Sequence, residues 1–85
     1  MASISLHYWA GARAAAGTTT ETIEAETVRA ALQRATDEHA DRRYTEVLAA
    51  CSLLIDGRQA HADDLDRILD REVRVEVLPP FAGGA

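Results

Sequence analysis

Hydrophobic and polar residues alternate over residues 3–9 and again over residues 72–78. In each stretch, every second residue is apolar and shares one face: Ile4, Leu6, Tyr8, Val73, Val75 and Val77. A period of two is typical of β-strands that bury one side. The pattern therefore predicts a first and a last strand, and it leaves Trp9 and Leu78 on the opposite face.

Residues 27–39 follow the helical period instead. Their apolar residues fall at i, i+3, i+4 and i+7 and form one stripe: Val28, Ala31, Leu32 and Ala35. Thr27 is the expected N-cap, because its hydroxyl can accept a hydrogen bond from the first turn. The segment predicts the main helix.

Weaker patterns predict the segments on either side of that helix. Residues 10–17 are small and end in glycine, which predicts a loop with one helical turn, and the threonine-rich residues 18–24 predict a strand paired to the first. Residues 40–43 are polar and break the pattern. Tyr44, Val47 and Leu48 then predict a short second helical piece.

The second half of the chain predicts a hairpin. Residues 51–55 form a short apolar strand, and Asp56-Gly57 favours a tight turn into an edge strand over residues 58–61. Residues 62–70 predict an acidic loop with a helical turn, with three apolar residues facing inward: Leu65, Ile68 and Leu69. This element order predicts an α+β domain, a mixed sheet with one main helix packed on one face.

The composition of the chain argues against several classes of function. The chain of 85 residues has a net charge of -5, which disfavours nucleic acid and anionic membranes as partners. Its nine basic residues are all arginine, so no side-chain amine can form an isopeptide bond. A single cysteine excludes an internal disulfide, and no secretory signal or membrane span is evident, so we expect a cytoplasmic protein.

The C-terminal tail, residues 79–85, follows the predicted domain of residues 1–78. Pro79 and Pro80 lack an N–H and restrict φ, so they direct the chain away from the sheet in an extended path. Gly83 and Gly84 have no Cβ and can enter a narrow channel. A stiff base with a slim tip is suited to insertion into the active site of another protein.

The segment LPPFAGG, residues 78–84, resembles the ending of the MoaD/ThiS family of ubiquitin-like sulfur carriers, especially its MoaD branch. The resemblance extends over the chain: ARAAAG after the first strand, one main helix, the Asp-Gly turn and VRVEVLPPFAGG. It implies a ubiquitin-like β-grasp fold. One departure is Asp70-Arg71-Glu72, where the family often has a Gly-Asp pair.

The resemblance also implies a function. A MoeB-like adenylyltransferase, related to ubiquitin-activating enzymes, uses ATP to adenylate the terminal glycine, which is then converted to a thiocarboxylate. The carrier docks on the MoaE-like large subunit of molybdopterin synthase and donates sulfur. The matching reactive residue is Gly84, with Gly83 beside it. The carrier itself is not an enzyme on this interpretation, and it binds no cofactor stably.

Ala85 departs from the family ending, because it places the carboxylate one residue beyond Gly84. Three interpretations are open. A peptidase removes Ala85 and exposes Gly84, the activating enzyme tolerates the alanine, or the chain is inactive as a carrier and serves only to bind. We favour the first.

Trp9 and Leu78 are the predicted partner-binding residues, with Phe81 extending the patch into the tail. The alternative is that the following loop covers Trp9. The alternative functions are a thiocarboxylate carrier for thiamine, cysteine or a specialised metabolite, a ubiquitin-like protein modifier, and an interaction domain that is never activated.

The remaining polar residues indicate no catalytic or metal site. His7, His39 and His61 have no metal-ligand spacing, and Cys51 begins an apolar strand, which predicts a buried and unreactive thiol. The acidic residues between Asp63 and Glu72 predict a solvated surface.

Overall fold

The computed structural model of the protein describes residues 1–80. The elements are, in chain order, β1 (Ala2–Tyr8), α1 (Ala10–Ala16), β2 (Thr20–Ala25), α2 (Val28–His39), α3 (Arg42–Ala50), β3 (Ser52–Ile55), β4 (Arg58–Gln59), α4 (Ala62–Leu65) and β5 (Val73–Leu78). The five strands form one sheet in the order β2-β1-β5-β3-β4. Only the pair of β1 and β5 is parallel, so the predicted mixed α+β sheet is confirmed.

The core lies between one face of this sheet and the helices. Ile4, Leu6, Val75 and Val77 have no exposed surface, and Tyr8 is almost fully buried. These are the residues that the period of two placed inward on the first and last strands. The other face of β1 and β5 carries polar or half-buried residues and is not covered by the helices.

The main helix, α2, begins and packs as its sequence predicts. The hydroxyl of Thr27 accepts a hydrogen bond from the backbone N–H of Ala30 at 3.0 Å. Val28, Ala31 and Ala35 are buried against the sheet. The helix ends at Ala40, which takes a left-handed conformation with φ 49° and ψ 45°.

The predicted loop over residues 10–17 is wrong, because α1 makes nearly two turns there. Alanine has the strongest intrinsic helix propensity, and Ala12 and Ala15 bury their methyl groups in the gap between the sheet and α3. Small residues are compatible with a loop, but they also allow the close packing of a helix that is seen here. Gly17 ends the helix in the left-handed region, and its N–H donates to the carbonyl of Arg13.

Three further expectations are corrected. The polar stretch 40–43 does not separate two helices by a loop of that length, since Asp41 caps α3 by accepting from the N–H of Arg43. Ile68 is not inward, because 68% of it is exposed, whereas Leu65 and Leu69 are partly buried against the core. The edge strand β4 is also shorter than predicted.

A chain of polar groups crosses the edge of the core. The hydroxyl of Tyr8 donates to Glu21 at 2.6 Å and contacts the hydroxyl of Tyr44 at 2.7 Å. His39 lies 2.9 Å from the same oxygen of Glu21 and stacks on the ring of Tyr44. Burial, followed by the bonds to Glu21 and Tyr44, raises the pKa of Tyr8 well above its usual value. These contacts join β1, β2, α2 and α3.

Candidate functional site

The root of the tail lies at the end of β5, the strand in the middle of the sheet. The strand ends at Leu78, and Pro79 and Pro80 follow it without any backbone N–H to continue the pairing. Pro79 is half-buried and Pro80 is exposed. The predicted site residues Phe81, Gly83 and Gly84, together with Ala85, lie outside the described residues.

Trp9 lies directly beside this root. Its backbone N–H donates to the carbonyl of Val77 at 3.2 Å, so the chain after β1 remains attached to the last strand. The extended backbone of Trp9, with φ -117° and ψ 148°, continues the alternation of β1. The register pairs Tyr8 with Val77, which places Trp9 on the open face next to Leu78. Trp9 is 41% exposed and Leu78 is half-buried.

Sequence reasoning missed a third apolar residue on the same face. Leu54 of β3 pairs in register with Glu76 of β5, and its neighbour Ser52 pairs with Leu78. Leu54 therefore lies diagonally across from Leu78 on the open face. The signal was present, because Leu53 and Ile55 pack against the core and the strand period then turns Leu54 outward. We call Trp9, Leu54 and Leu78 the open-face patch.

Charged side chains border the open-face patch. Glu76 lies between His7 on β1 and Leu54 on β3 in the register of the sheet. Arg74 lies two residues away on the same face, with its guanidinium 3.9 Å from the Glu76 carboxylate. Burial and the charge of Arg74 lower the pKa of His7, while Glu76 opposes them. His7 is therefore mainly neutral at physiological pH, and the charged groups nearest the open-face patch are Glu76 and Arg74.

Other reactive groups have structural surroundings. Cys51 donates its thiol hydrogen to the carbonyl of Val47, and burial raises the pKa of this thiol, so its thiolate is disfavoured. Asp66 is held by Arg29 in an exposed ion pair at 2.6 Å, which lowers the pKa of the carboxyl. Within residues 1–80 no three histidine, cysteine or acidic residues are grouped so that they could hold a metal ion.

A surface groove and the lengths of the helices were the remaining features with a bearing on function. A polar groove of about 570 Å³ lies where β3 turns into β4, at the far end of β5 from Pro79. It is remote from the tail root and lacks a converging set of reactive groups. Separately, none of the helices in the part of the chain that the structure describes is long and apolar enough to cross a membrane.

Comparisons with known proteins agree with this geometry. The sequence matches the model of the ThiS family over residues 6–84. No match was found among curated proteins. The fold is similar to small archaeal modifier protein 1 from Methanosarcina acetivorans, with 25% identity, a TM-score of 0.81 and coverage of 99% of this chain and 98% of that one.

Two further solved structures have the same fold. A molybdopterin converting factor subunit 1 from Pyrococcus furiosus is 23% identical, with a TM-score of 0.76 over 95% of this chain and 100% of that one. A chain in the complex of subunits 1 and 2 of the molybdopterin-converting factor from Helicobacter pylori is 17% identical, with a TM-score of 0.68 over 96% and 99%. The predicted ubiquitin-like β-grasp fold is confirmed.

Proposed function

Because the chain belongs to the ThiS family of ubiquitin-like sulfur carriers and modifiers, we propose that it is a sulfur carrier whose reactive group is the carboxylate of Gly84. One observation carries the proposal. The family match ends at Gly84 and leaves Ala85 outside it. The described structure supports it, since the strand beneath the tail ends at Leu78 and two prolines follow.

In this proposal, the partner proteins catalyse the chemical steps. A carboxylate is a poor electrophile until its oxygen becomes part of a good leaving group. An adenylyltransferase of the MoeB type attaches AMP from ATP to the carboxylate and releases pyrophosphate. Sulfide, supplied by a sulfur donor, then attacks the acyl carbon and displaces AMP, which leaves a thiocarboxylate. This chain contributes a docking surface and a tethered tip, and the tether raises the local concentration of sulfur at the acceptor.

We assign the sulfur to molybdopterin synthesis, with a MoaE-like large subunit as the docking partner and the cyclic pterin phosphate as the acceptor. The similarity to the molybdopterin converting factor subunits supports this choice, as does the double proline at the tail root. The proposed carrier works in the cytoplasm, binds no cofactor stably and catalyses no step. A peptidase that removes Ala85 completes the proposal.

A protein modifier is the second candidate. The similarity to small archaeal modifier protein 1 favours it, because that relative has the highest TM-score among those described above. Both candidates require the same activation of the C-terminus and differ in the acceptor. The absence of lysine means that this chain could be attached to other proteins but could not form lysine-linked chains of itself.

The test compares the 85-residue chain with a chain that ends at Gly84. Each is incubated with ATP and the ubiquitin-activating-type adenylyltransferases of the source organism, and its intact mass is measured. A third chain that ends at Gly83 serves as the control. We expect an adenylate on the chain that ends at Gly84 and on neither of the others. An adenylate on both longer chains shows that Ala85 is tolerated, and an adenylate on no chain overturns the carrier proposal.

A second incubation chooses between the two acceptors. The thiocarboxylated chain is mixed with the MoaE-like subunit and cyclic pterin phosphate, and separately with total protein from the source organism. Sulfur transfer to the pterin supports molybdopterin synthesis. Attachment of the chain to other proteins, with no transfer to the pterin, supports the modifier.

A further inference from the structure

Glu76 occupies an unusual place for a carboxylate. It lies on β5, the central strand of the sheet, and its neighbours in register are His7 and Leu54. Its side chain is only 20% exposed. The open-face patch flanks it, with Leu78 two residues along the same strand and Trp9 two residues beyond His7. A negative charge is thus set among apolar side chains at the point where a partner would make its closest contact.

The charge of Glu76 is only loosely compensated within residues 1–80. The ion pair that it makes is with Arg74, at 3.9 Å, and the side chain of Arg74 is 52% exposed. A pair of that length and exposure is screened by water and salt, and it holds neither side chain firmly. His7 is kept mainly neutral by burial and by Arg74, so it does not supply the missing positive charge.

A partner that covers the open-face patch also removes water from Glu76. A carboxylate that loses its water without gaining a cation strongly opposes binding. We propose that a protein docking on this face presents an arginine or lysine to Glu76, surrounded by apolar side chains that meet Trp9, Leu54 and Leu78. An arginine suits the site better, because its planar fork can bond both carboxylate oxygens.

This pairing makes Glu76 a specificity-determining residue. Apolar contact alone accepts many partners, whereas a dehydrated carboxylate rejects every partner that lacks a cation at that place. The inference rests on the proposed function for the identity of the partner, which is the activating adenylyltransferase. It adds that the surface of this enzyme must present a cation to Glu76 and apolar side chains to the open-face patch.

The experiment measures docking of the chain on that adenylyltransferase by calorimetry, with adenylation followed in parallel. Glu76→Gln keeps the shape of the side chain and removes its charge, and we expect docking to weaken at least about 30-fold. Glu76→Lys is the second variant, and we expect no measurable docking. Glu72→Gln is the matched control, since it removes the same charge from an exposed residue outside the patch, and it should change affinity less than about 5-fold.

Arg74→Ala separates a cation supplied by the partner from one supplied by the chain itself. If the partner provides the cation, removing Arg74 changes affinity less than about 5-fold. A loss as large as that of Glu76→Gln shows instead that Glu76 docks together with Arg74, and it overturns the inference. Thermal unfolding confirms that each variant is folded before its affinity is compared.

The outcomes distinguish the inference from the proposed function. Docking and adenylation of the chain that ends at Gly84, with Glu76→Gln indistinguishable from Glu72→Gln in that chain, overturn the inference alone. If the chain that ends at Gly84 neither docks nor is adenylated, the proposed function is overturned and this inference with it. Selective loss in the two Glu76 variants supports both.

Discussion

The hydroxyl oxygens of Tyr8 and Tyr44 lie 2.7 Å apart, although the residues belong to a strand and a helix that are 36 positions apart in the chain. Tyr8 donates its hydrogen to Glu21, so the hydrogen between the two phenols must come from Tyr44. The direction of the bonds is therefore fixed, with Tyr44 donating to Tyr8 and Tyr8 to Glu21. Both rings are almost fully buried, so neither hydroxyl can turn to bulk water.

This direction of the hydrogen bonds predicts that the two tyrosine hydroxyls contribute unequally to the free energy of unfolding. Tyr44→Phe removes one hydrogen bond and leaves Tyr8 bonded to Glu21, which should lower the free energy of unfolding by about 1 kcal/mol. Tyr8→Phe leaves Tyr44 without its acceptor and removes a donor from Glu21, so the loss should be about 2 kcal/mol. Urea unfolding of the two variants measures the difference. Equal losses, or a larger loss for Tyr44→Phe, would contradict the assigned direction.

Alkaline pH should destabilise the fold through the same pair. Burial raises the pKa of both Tyr8 and Tyr44, so in the unfolded chain these phenols lose protons near pH 10 while the folded chain retains them. The unfolded state then binds fewer protons, and stability falls as pH rises through about 10, by up to about 1.4 kcal/mol per pH unit for each tyrosine. Below that pH the contribution is fully present.

Few other side chains of this chain titrate at alkaline pH, because it has no lysine and its arginines stay charged. Urea unfolding between pH 8 and pH 11.5 should show the decline, and Tyr8→Phe should reduce its slope. Cys51 acts in the same direction from a lower pH, since burial raises the pKa of its thiol, and Cys51→Ser controls for it. A slope unchanged by Tyr8→Phe would count against the assignment.

Ala40 offers a stabilising substitution. It ends α2 in the left-handed region, where a Cβ is unfavourable and glycine is the preferred residue. Ala40→Gly should raise the free energy of unfolding by about 0.5–1 kcal/mol, which corresponds to a few degrees in Tm. Ala30→Gly, in the exposed first turn of the same helix, is the control and should lower stability by about 1 kcal/mol. A decrease in Tm for Ala40→Gly would contradict the argument.

The open-face patch should govern docking and not folding. Trp9→Ala and Leu54→Ser are expected to weaken binding to the activating adenylyltransferase at least about 10-fold while leaving Tm nearly unchanged. Ile68→Ala is the matched control, because Ile68 is an exposed apolar residue outside the patch. Binding by Trp9→Ala that equals wild-type binding would remove Trp9 from the interface.

The sequence was most informative where the periodicity of apolar residues determined which side chains are buried. Alternation assigned the buried faces of β1 and β5, and the stripe around Val28 with the cap at Thr27 defined α2. The methyl-rich α1 was missed because an alanine stretch carries no contrast between apolar and polar positions. Its helix depends on the space between the sheet and α3, which is a tertiary property.

In the candidate site, too, the local sequence pattern predicted some positions, while others depend on the tertiary structure. Strand parity was enough to place Trp9 and Leu78 on one face, and it would have placed Leu54 there had the parity of the short strand been assigned. Ile68 was expected inside because it is apolar, but it lies beyond the end of a helix of only four residues, and Leu65 and Leu69 pack against the core instead. The position of Glu76 within the patch required the register between three strands, which no local pattern contains.

The central position of β5 has a mechanical consequence. This strand is hydrogen-bonded to β1 on one side and to β3 on the other, and its C-terminal end leads directly into Pro79. Tension applied through the tail therefore acts along the strand, so its bonds to both neighbours are loaded in shear together and do not open one after another. A pull on the end of β5 is thus resisted by the hydrogen bonds to both neighbouring strands at once, and the force passes to the whole sheet.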